Sequence, residues 1–147
     1  MKIRSITANL FSFEGDLDWT NPVAIRVEFS NNFVVRVRCS SDGESVIADQ
    51  HALDGLTNMD EFGRIEVHYL TDRIDKVILR SDIVSVNEVL DENNSVVGLA
   101  FIDDHETRLC IWNYGDELHY GNFTTMAGQD WGAALRVSQK SICIGLV

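Results

Sequence analysis

Residues 23–39, VAIRVEFSNNFVVRVRC, alternate apolar and polar side chains on both sides of the tripeptide Ser30-Asn31-Asn32. A period of two places every second side chain on the same face of a β-strand, so each half is predicted to be a strand with one buried face. Adjacent asparagines tolerate the left-handed backbone conformation that a tight turn needs. The stretch therefore predicts an antiparallel hairpin, and it points to a β fold for the chain.

The polar face of this hairpin carries Arg26, Arg36 and Arg38 together with Glu28. Ion pairing on the sheet surface accounts for such a set of side chains. Nucleic-acid binding needs a larger basic stripe with aromatic side chains for stacking. Three arginines are too few against a net charge of -11, so we expect no nucleic-acid partner.

The second half of the chain repeats the hairpin pattern. Apolar runs are separated by four-residue linkers of turn-forming residues at 91–94, 103–106 and 113–116. This is the spacing of consecutive hairpins. A helix is predicted only late in the chain, where Trp131, Ala134, Leu135 and Val137 can share one face.

The segments between the hairpin and the meander are less regular. Residues 49–63 are predicted to be a loop with at most one short helical turn, and 72–76 a turn or brief helix. The alternation of Ile65, Val67 and Tyr69 predicts a strand, as does the apolar run 77–79. The apolar tail is predicted to complete the sheet through Ile142, Cys143, Ile144, Leu146 and Val147.

Together these patterns predict a mainly β fold, with α+β as the alternative. We expect an antiparallel meander that forms a sheet or a partly open barrel or sandwich, with at most one or two short helices. A length of 147 residues with 45% hydrophobic content suits a single domain over residues 1–147.

The cysteines and the N-terminus predict a cytoplasmic protein. Cys39, Cys110 and Cys143 are odd in number and form no CxxC pair, which favours free thiols in a reducing compartment. The first residues lack the apolar run of a signal peptide, and no later run approaches the roughly 20 residues of a membrane helix. We therefore expect a cytosolic chain without a membrane partner.

No motif for catalysis or cofactor binding is present. The four histidines, His51, His68, His105 and His119, are scattered, with no second His or Cys at ligand spacing. Residues 103–106, DDHE, look most like a ligand cluster, but such residues also form ordinary hairpin turns. There is no GxSxG elbow, GxGxxG loop or P-loop. We expect no catalytic residue, cofactor or metal.

The charge is concentrated in the middle of the chain, where residues 41–130 carry nineteen Asp and Glu against five Lys and Arg. A local negative field speeds encounter with a cationic partner. Tyr and Trp dominate interface energetics, and neighbouring carboxylates add charge complementarity. The residues predicted to bind a partner are Asp91, Glu92, Asp103, Asp104, Glu106, Trp112, Tyr114, Asp116, Glu117 and Tyr120.

In size, acidity and lack of a catalytic motif, the chain resembles the small immunity proteins of bacterial contact-dependent inhibition and related polymorphic toxin systems. The resemblance implies an inhibitor that covers the cationic active site of a basic toxin, most plausibly a nuclease, as a monomer or 1:1 heterodimer.

Two alternatives stay open. One is a β domain that binds a small ligand or hydrolyses it weakly, using His119 or His105 with nearby carboxylates. The other is a structural subunit that assembles with copies of itself through unpaired strand edges.

Overall fold

The computed structural model describes residues 1–142, and residues 143–147 lie outside the described part. Its strands form two antiparallel sheets whose inner faces share one hydrophobic core. The larger sheet has the order β5-β4-β3-β1-β7-β6, with β2 paired to β1. Its strands are β1 (Ile3–Phe13), β2 (Asp16–Leu17), β3 (Ala24–Phe29), β4 (Val34–Cys39), β5 (Val46–Asp49), β6 (Thr57–Asn58) and β7 (Arg64–Tyr69).

The smaller sheet has the order β11-β10-β9-β8-β12. Its strands are β8 (Ser85–Leu90), β9 (Val96–Ile102), β10 (Thr107–Tyr114), β11 (Glu117–Gly121) and β12 (Arg136–Ser141). Neither described sheet closes into a barrel, and the mainly β prediction is confirmed. Of the tail predicted to complete the sheet, Cys143, Ile144, Leu146 and Val147 fall outside the described residues, and β12 takes the edge next to β8.

The predicted hairpins are present. The strands β3 and β4 pair in register from Ala24 opposite Arg38 to Glu28 opposite Val34, and Asn32 takes the positive φ (70°) that the turn needs. The β10–β11 turn is shorter than the predicted four-residue linker. Gly115 and Asp116, with φ of 65° and 60°, form a two-residue turn of the type that matches the twist of paired strands.

The helices lie elsewhere than predicted. The structure has α1 (Lys76–Arg80) and α2 (Phe123–Ala127), with 3-10 turns at Asp60–Phe62 and Thr71–Arg73. The run 77–79, predicted to be a strand, is helical because the Asp75 side chain caps α1 by accepting from Val77 N.

The predicted late helix is wrong as well. Gly132 takes a positive φ of 78°, which interrupts a helix at that point. Trp131 and Leu135 instead pack irregularly against the second core cluster, and Val137 belongs to β12.

The smaller sheet is covered on both faces. Its inner face contributes Leu99, Phe101 and Ile111 to the core shared with the larger sheet. Its outer face forms a second cluster around Trp112 and Met126, beneath α2. The larger sheet contributes its inner face to the same core and turns its outer face away from it.

A strap crosses that outer face. Because β5 and β6 lie at opposite edges of the larger sheet, residues 50–56 must pass over the strands between them. Arg36 Nη1 donates to Ala52 O at 3.3 Å, and Asn9 Nδ2 donates to Asp54 O at 2.9 Å. The strap thereby covers the middle of the sheet.

Candidate partner-binding surface

The predicted partner-binding residues do not form one surface. The β8–β9 tip (91–95) and the β10–β11 tip (115–116) lie at one end of the smaller sheet, and the β9–β10 tip (103–106) lies at the other. The eight residues of β10 separate the two ends by about 25 Å at the usual rise of a strand. Asp103, Asp104 and Glu106 therefore cannot act together with Asp116 and Glu117 at a small contact.

Asp103 is a turn residue rather than a free surface charge. Its Oδ1 accepts from the backbone N–H groups of His105 and Glu106, both at 2.8 Å, and its Oδ2 meets Arg108 Nε at 2.5 Å. These hydrogen bonds, led by that of Glu106 N–H, hold its pKa well below the ordinary range. Asp91 builds the β8–β9 turn in the same way, accepting from Asn93 N and Ser95 N.

Trp112 is not an interface anchor. Its side chain is 1% exposed and lies in the second core cluster, where it stacks on His119 at 5.6 Å between ring centroids and donates through Nε1 to Gln129 Oε1. Alternation along β10 turns Trp112 to the face that α2 covers, which the sequence pattern of the strand does not indicate. The Trp112 side chain is therefore not accessible to a partner.

The two tyrosines have separate environments. Tyr114 packs edge-on against Trp131 at 5.0 Å and donates through its hydroxyl to Asp130 O. Tyr120 donates to Trp19 O at 3.0 Å, and burial raises its pKa. Both are half-buried, so each can offer only part of its ring to a partner.

His119 is used as a structural link. Its Nε2 lies 3.2 Å from Tyr114 O, and its Nδ1 lies 3.4 Å from Asn21 Nδ2. Both contacts are satisfied by the neutral ring with the proton on Nε2, because Nδ1 then accepts from the amide. Both ring nitrogens thus contact polar groups of the fold. His105 is exposed on the β9–β10 turn.

A second hairpin tip completes an acidic surface with Asp116 and Glu117. The β4–β5 turn (40–45) touches the β10–β11 turn, since a Cβ built on Gly43 would lie 3.8 Å from Asp116 Cγ. Asn113 Nδ2 donates to Ser45 O at 3.0 Å and holds the two together. We call this surface the tip patch; it consists of Asp42, Glu44, Asp116 and Glu117.

The carboxylates of the tip patch have no cationic partner. All four side chains are exposed, and none forms an ion pair with Lys or Arg within residues 1–142. Their field reaches the neighbouring thiol, because burial, followed by the charges of Asp116, Asp42 and Glu117, raises the pKa of Cys39 to about 11. The patch therefore carries negative charge without a cation on two neighbouring turns.

Glu106 and Tyr120 meet in a different place, a groove of about 680 Å³. Arg73 and Arg108 also line this groove, together with apolar side chains of α1 and α2. The Arg73 guanidinium lies 3.7 Å above the Trp19 ring, and Arg108 is paired with Asp103 and Glu106. Sequence reasoning missed Arg73, because nothing local indicates that α1 faces β10 and β11.

Neither a metal site nor a membrane-spanning helix is found in the described residues. No group of three or more His, Cys, Asp or Glu there could hold a metal ion. No helix among residues 1–142 has both the length and the apolar composition that crossing a bilayer requires. Cys39 and Cys110 are free thiols, and Cys143 lies outside the described part.

No protein-family model matches the chain, and it matches no curated protein and no solved structure.

Proposed function

We propose that this chain is a cytosolic inhibitor of the immunity-protein kind, which binds a basic protein, with a nuclease as the favoured class of target. It acts by binding rather than by catalysis. The observation that carries the proposal is the tip patch, where four exposed carboxylates from two hairpins stand together without a cation.

Uncompensated charge of this kind lowers the stability of the folded state. Like charges that are close together repel. Asp42 is offset by hydrogen bonds within its own turn, but the carboxylates of Glu44, Asp116 and Glu117 accept no hydrogen bond from the described residues. The same arrangement suits a cationic active site, which must be positive where it meets phosphate. Complementary potentials raise the association rate and orient the encounter.

The turns beneath the patch are already ordered. Asp42 accepts from Glu44 N, Ser45 N and Ser45 Oγ at 2.6–2.8 Å, and these bonds lower its pKa. Gly115 and Asp116 form the tight β10–β11 turn. A partner therefore meets preformed charges and does not have to order these loops, which reduces the entropic cost of binding.

The test is capture of a basic protein from the host by the tagged chain, followed by stopped-flow association with the captured partner. Glu117→Lys should slow association at least about tenfold at low salt and flatten its salt dependence. Asp104→Lys makes the same charge change at the opposite end of the sheet and should have a much smaller effect. Equal effects of the two variants, or no basic protein among the captured ones, would refute the proposal.

A second candidate is a small-ligand site in the groove, favoured by the position of Arg73. Its guanidinium is held over Trp19 and forms no ion pair with a carboxylate of the described residues, so it is available to an organic anion. The probe is citrate, titrated while amide NMR signals are followed. Shifts at Gly121 and Asn122 that disappear in Arg73→Ala would support the site, and unchanged spectra up to about 10 mM would exclude such binding.

A further inference from the structure

The strand β7 turns its apolar side away from the core. Val67 and Tyr69 lie on the outer face of the larger sheet and are 46% and 69% exposed. The alternating polar residues Glu66 and His68 face the other way. Glu66 accepts from His68 Nε2 at 3.0 Å, and the His68 ring packs edge-on against Trp19. Strands of a sandwich usually bury their apolar side, so an exposed pair of this kind on a strand calls for a covering surface.

The backbone of β7 is also open along one edge. The strand pairs with β1 over its whole length, from Arg64 to Tyr69, but β6 covers only Arg64 and Ile65 on the other side. Leu70 N donates to Ile6 O on β1, so alternation directs the polar groups of His68 and Glu66 to β1 as well. Those of Val67 and Tyr69 point to the uncovered edge.

We propose that this edge pairs with the same edge of a second copy of the chain, about a two-fold axis that passes through His68. Antiparallel pairing in this register places Val67 opposite Tyr69 of the second copy, and Tyr69 opposite its Val67. Both residues then exchange two backbone hydrogen bonds with their partner, which gives four bonds in all. Every uncovered N–H and C=O of Val67 and Tyr69 is satisfied.

The edge itself determines this register. A two-fold antiparallel pair must place an odd-numbered β7 residue opposite another odd-numbered one, since the outer faces coincide. An axis through Val67 would require Tyr69 to pair with Ile65, whose edge is already occupied by Thr57 of β6. An axis through Tyr69 would place Val67 opposite Thr71, which begins a 3-10 turn and is not extended. The axis through His68 therefore uses both open residues without displacing β6.

The side chains and charges suit a second copy rather than an unrelated strand. Each Val67 would lie beside an aromatic ring, a favourable cross-strand pair. Leu56, which is 65% exposed and directly precedes β6, borders the same edge. The Glu66 carboxylate is paired with Arg64 and contacts His68, so the strand adds little charge to the interface although the whole chain is strongly acidic.

The β11 edge is less available for such pairing. It is lined by residues 18–21, where Asn21 Nδ2 donates to Leu118 O and Trp19 O accepts from Tyr120. The tip patch does not include any residue of β7, so a dimer would carry two tip patches. The dimer and the inhibitor function can therefore be tested independently of each other.

Sedimentation velocity tests the assembly. The chain of 16.5 kDa should sediment as a dimer, with a dissociation constant in the micromolar range. Val67→Lys should shift that constant at least about tenfold toward the monomer, since a lysine on an exposed strand edge opposes pairing and the two-fold axis brings a second like charge into the interface. Val84→Lys is the matched control: Val84 is also about half exposed but lies outside β7, and its variant should remain a dimer.

Disulfide trapping tests the register. His68→Cys would place two cysteines directly opposite across the axis, in a non-hydrogen-bonded pair whose Cα spacing of about 4.5 Å suits a disulfide, whereas Val67→Cys would place them two positions apart. Rapid oxidation should yield a covalent dimer for the first variant and little for the second or for the unaltered chain. The proposal is overturned by a monomer at about 1 mM, by a dimer that Val67→Lys leaves intact, or by preferential crosslinking of Val67→Cys.

Discussion

Asp103 was predicted to bind a partner because of its charge, but its carboxylate forms hydrogen bonds within the fold. Its Oδ1 closes the β9–β10 turn, and its Oδ2 binds Arg108. Asp91 has the same place in the β8–β9 turn. Both lie in the four-residue linkers from which the hairpins were predicted. These residues indicated the turns correctly, but their carboxylates are bonded within the turns instead of being free for a partner. Their neighbours Asp104 and Glu92 are exposed, but they lie outside the tip patch.

The first prediction concerns the pH dependence that Asp103 brings. Its folded-state pKa is lowered, so its stabilising effect is complete above the unfolded pKa of about 3.9 and is lost as pH falls toward the folded value. Asp103→Asn keeps an acceptor for the turn but not the charge. Its melting temperature should be lower than that of the unaltered chain at pH 7, and the difference should narrow below about pH 4. A difference that stays constant down to pH 2 would contradict the assignment.

The second prediction concerns Gly98, which pairs with Trp112 across β9 and β10. A Cβ there would lie 2.7 Å from Ile111 O and 2.8 Å from Trp112 Cβ, so backbone would have to shift. Gly98→Ala should lower the free energy of unfolding by about 1–3 kcal/mol in urea titration. Gly55→Ala, which meets nothing within 4 Å, should be within about 0.5 kcal/mol of the unaltered chain.

At the scale of elements, local patterns predicted the hairpins well and the long-range pairings not at all. Alternation and turn residues indicate β3–β4 and β8 to β11 because both signals lie within a few residues. The strand of Ile65, Val67 and Tyr69 was predicted correctly, but alternation does not say which side faces the core. The strap was predicted only as a loop, because its path depends on β5 and β6 lying at opposite edges.

The third prediction tests how the strap is held. Asn9 is 3% exposed, and its amide donates to Asp54 O from beneath the strap. Asn9→Ala should cost about 1 kcal/mol of stability and should raise hydrogen exchange within residues 50–56. Asn58→Ala removes a side-chain bond to Asp60 N outside the strap and serves as the control. Equal exchange in the two variants would show that Asn9 does not anchor the strap.

For the whole molecule, the useful information is the arrangement of charge rather than its total. A sequence count places the acidity in residues 41–130, but Asp42 and Asp116 become neighbours only through the contact of two hairpins from different sheets. The same packing sends Asp103 and Asp104 to the opposite end. This is why the acidic composition predicted a cationic partner but could not predict the surface for it.

The last prediction separates a functional charge cluster from a structural one. If the tip patch is retained for binding, its mutual repulsion opposes folding, and removing charge should stabilise the chain. Glu44→Gln combined with Glu117→Gln should raise the melting temperature at low ionic strength, and the gain should shrink at about 1 M salt, where the Debye length is about 3 Å.

Glu28→Gln is the control, because the Glu28 carboxylate is paired with Arg4 and Arg26 and its neutralisation removes an attraction instead. The stabilised double variant should also bind the basic partner more weakly. Loss of stability on neutralisation would mean that these carboxylates support the fold, and the case for a binding role would then lose its physical basis.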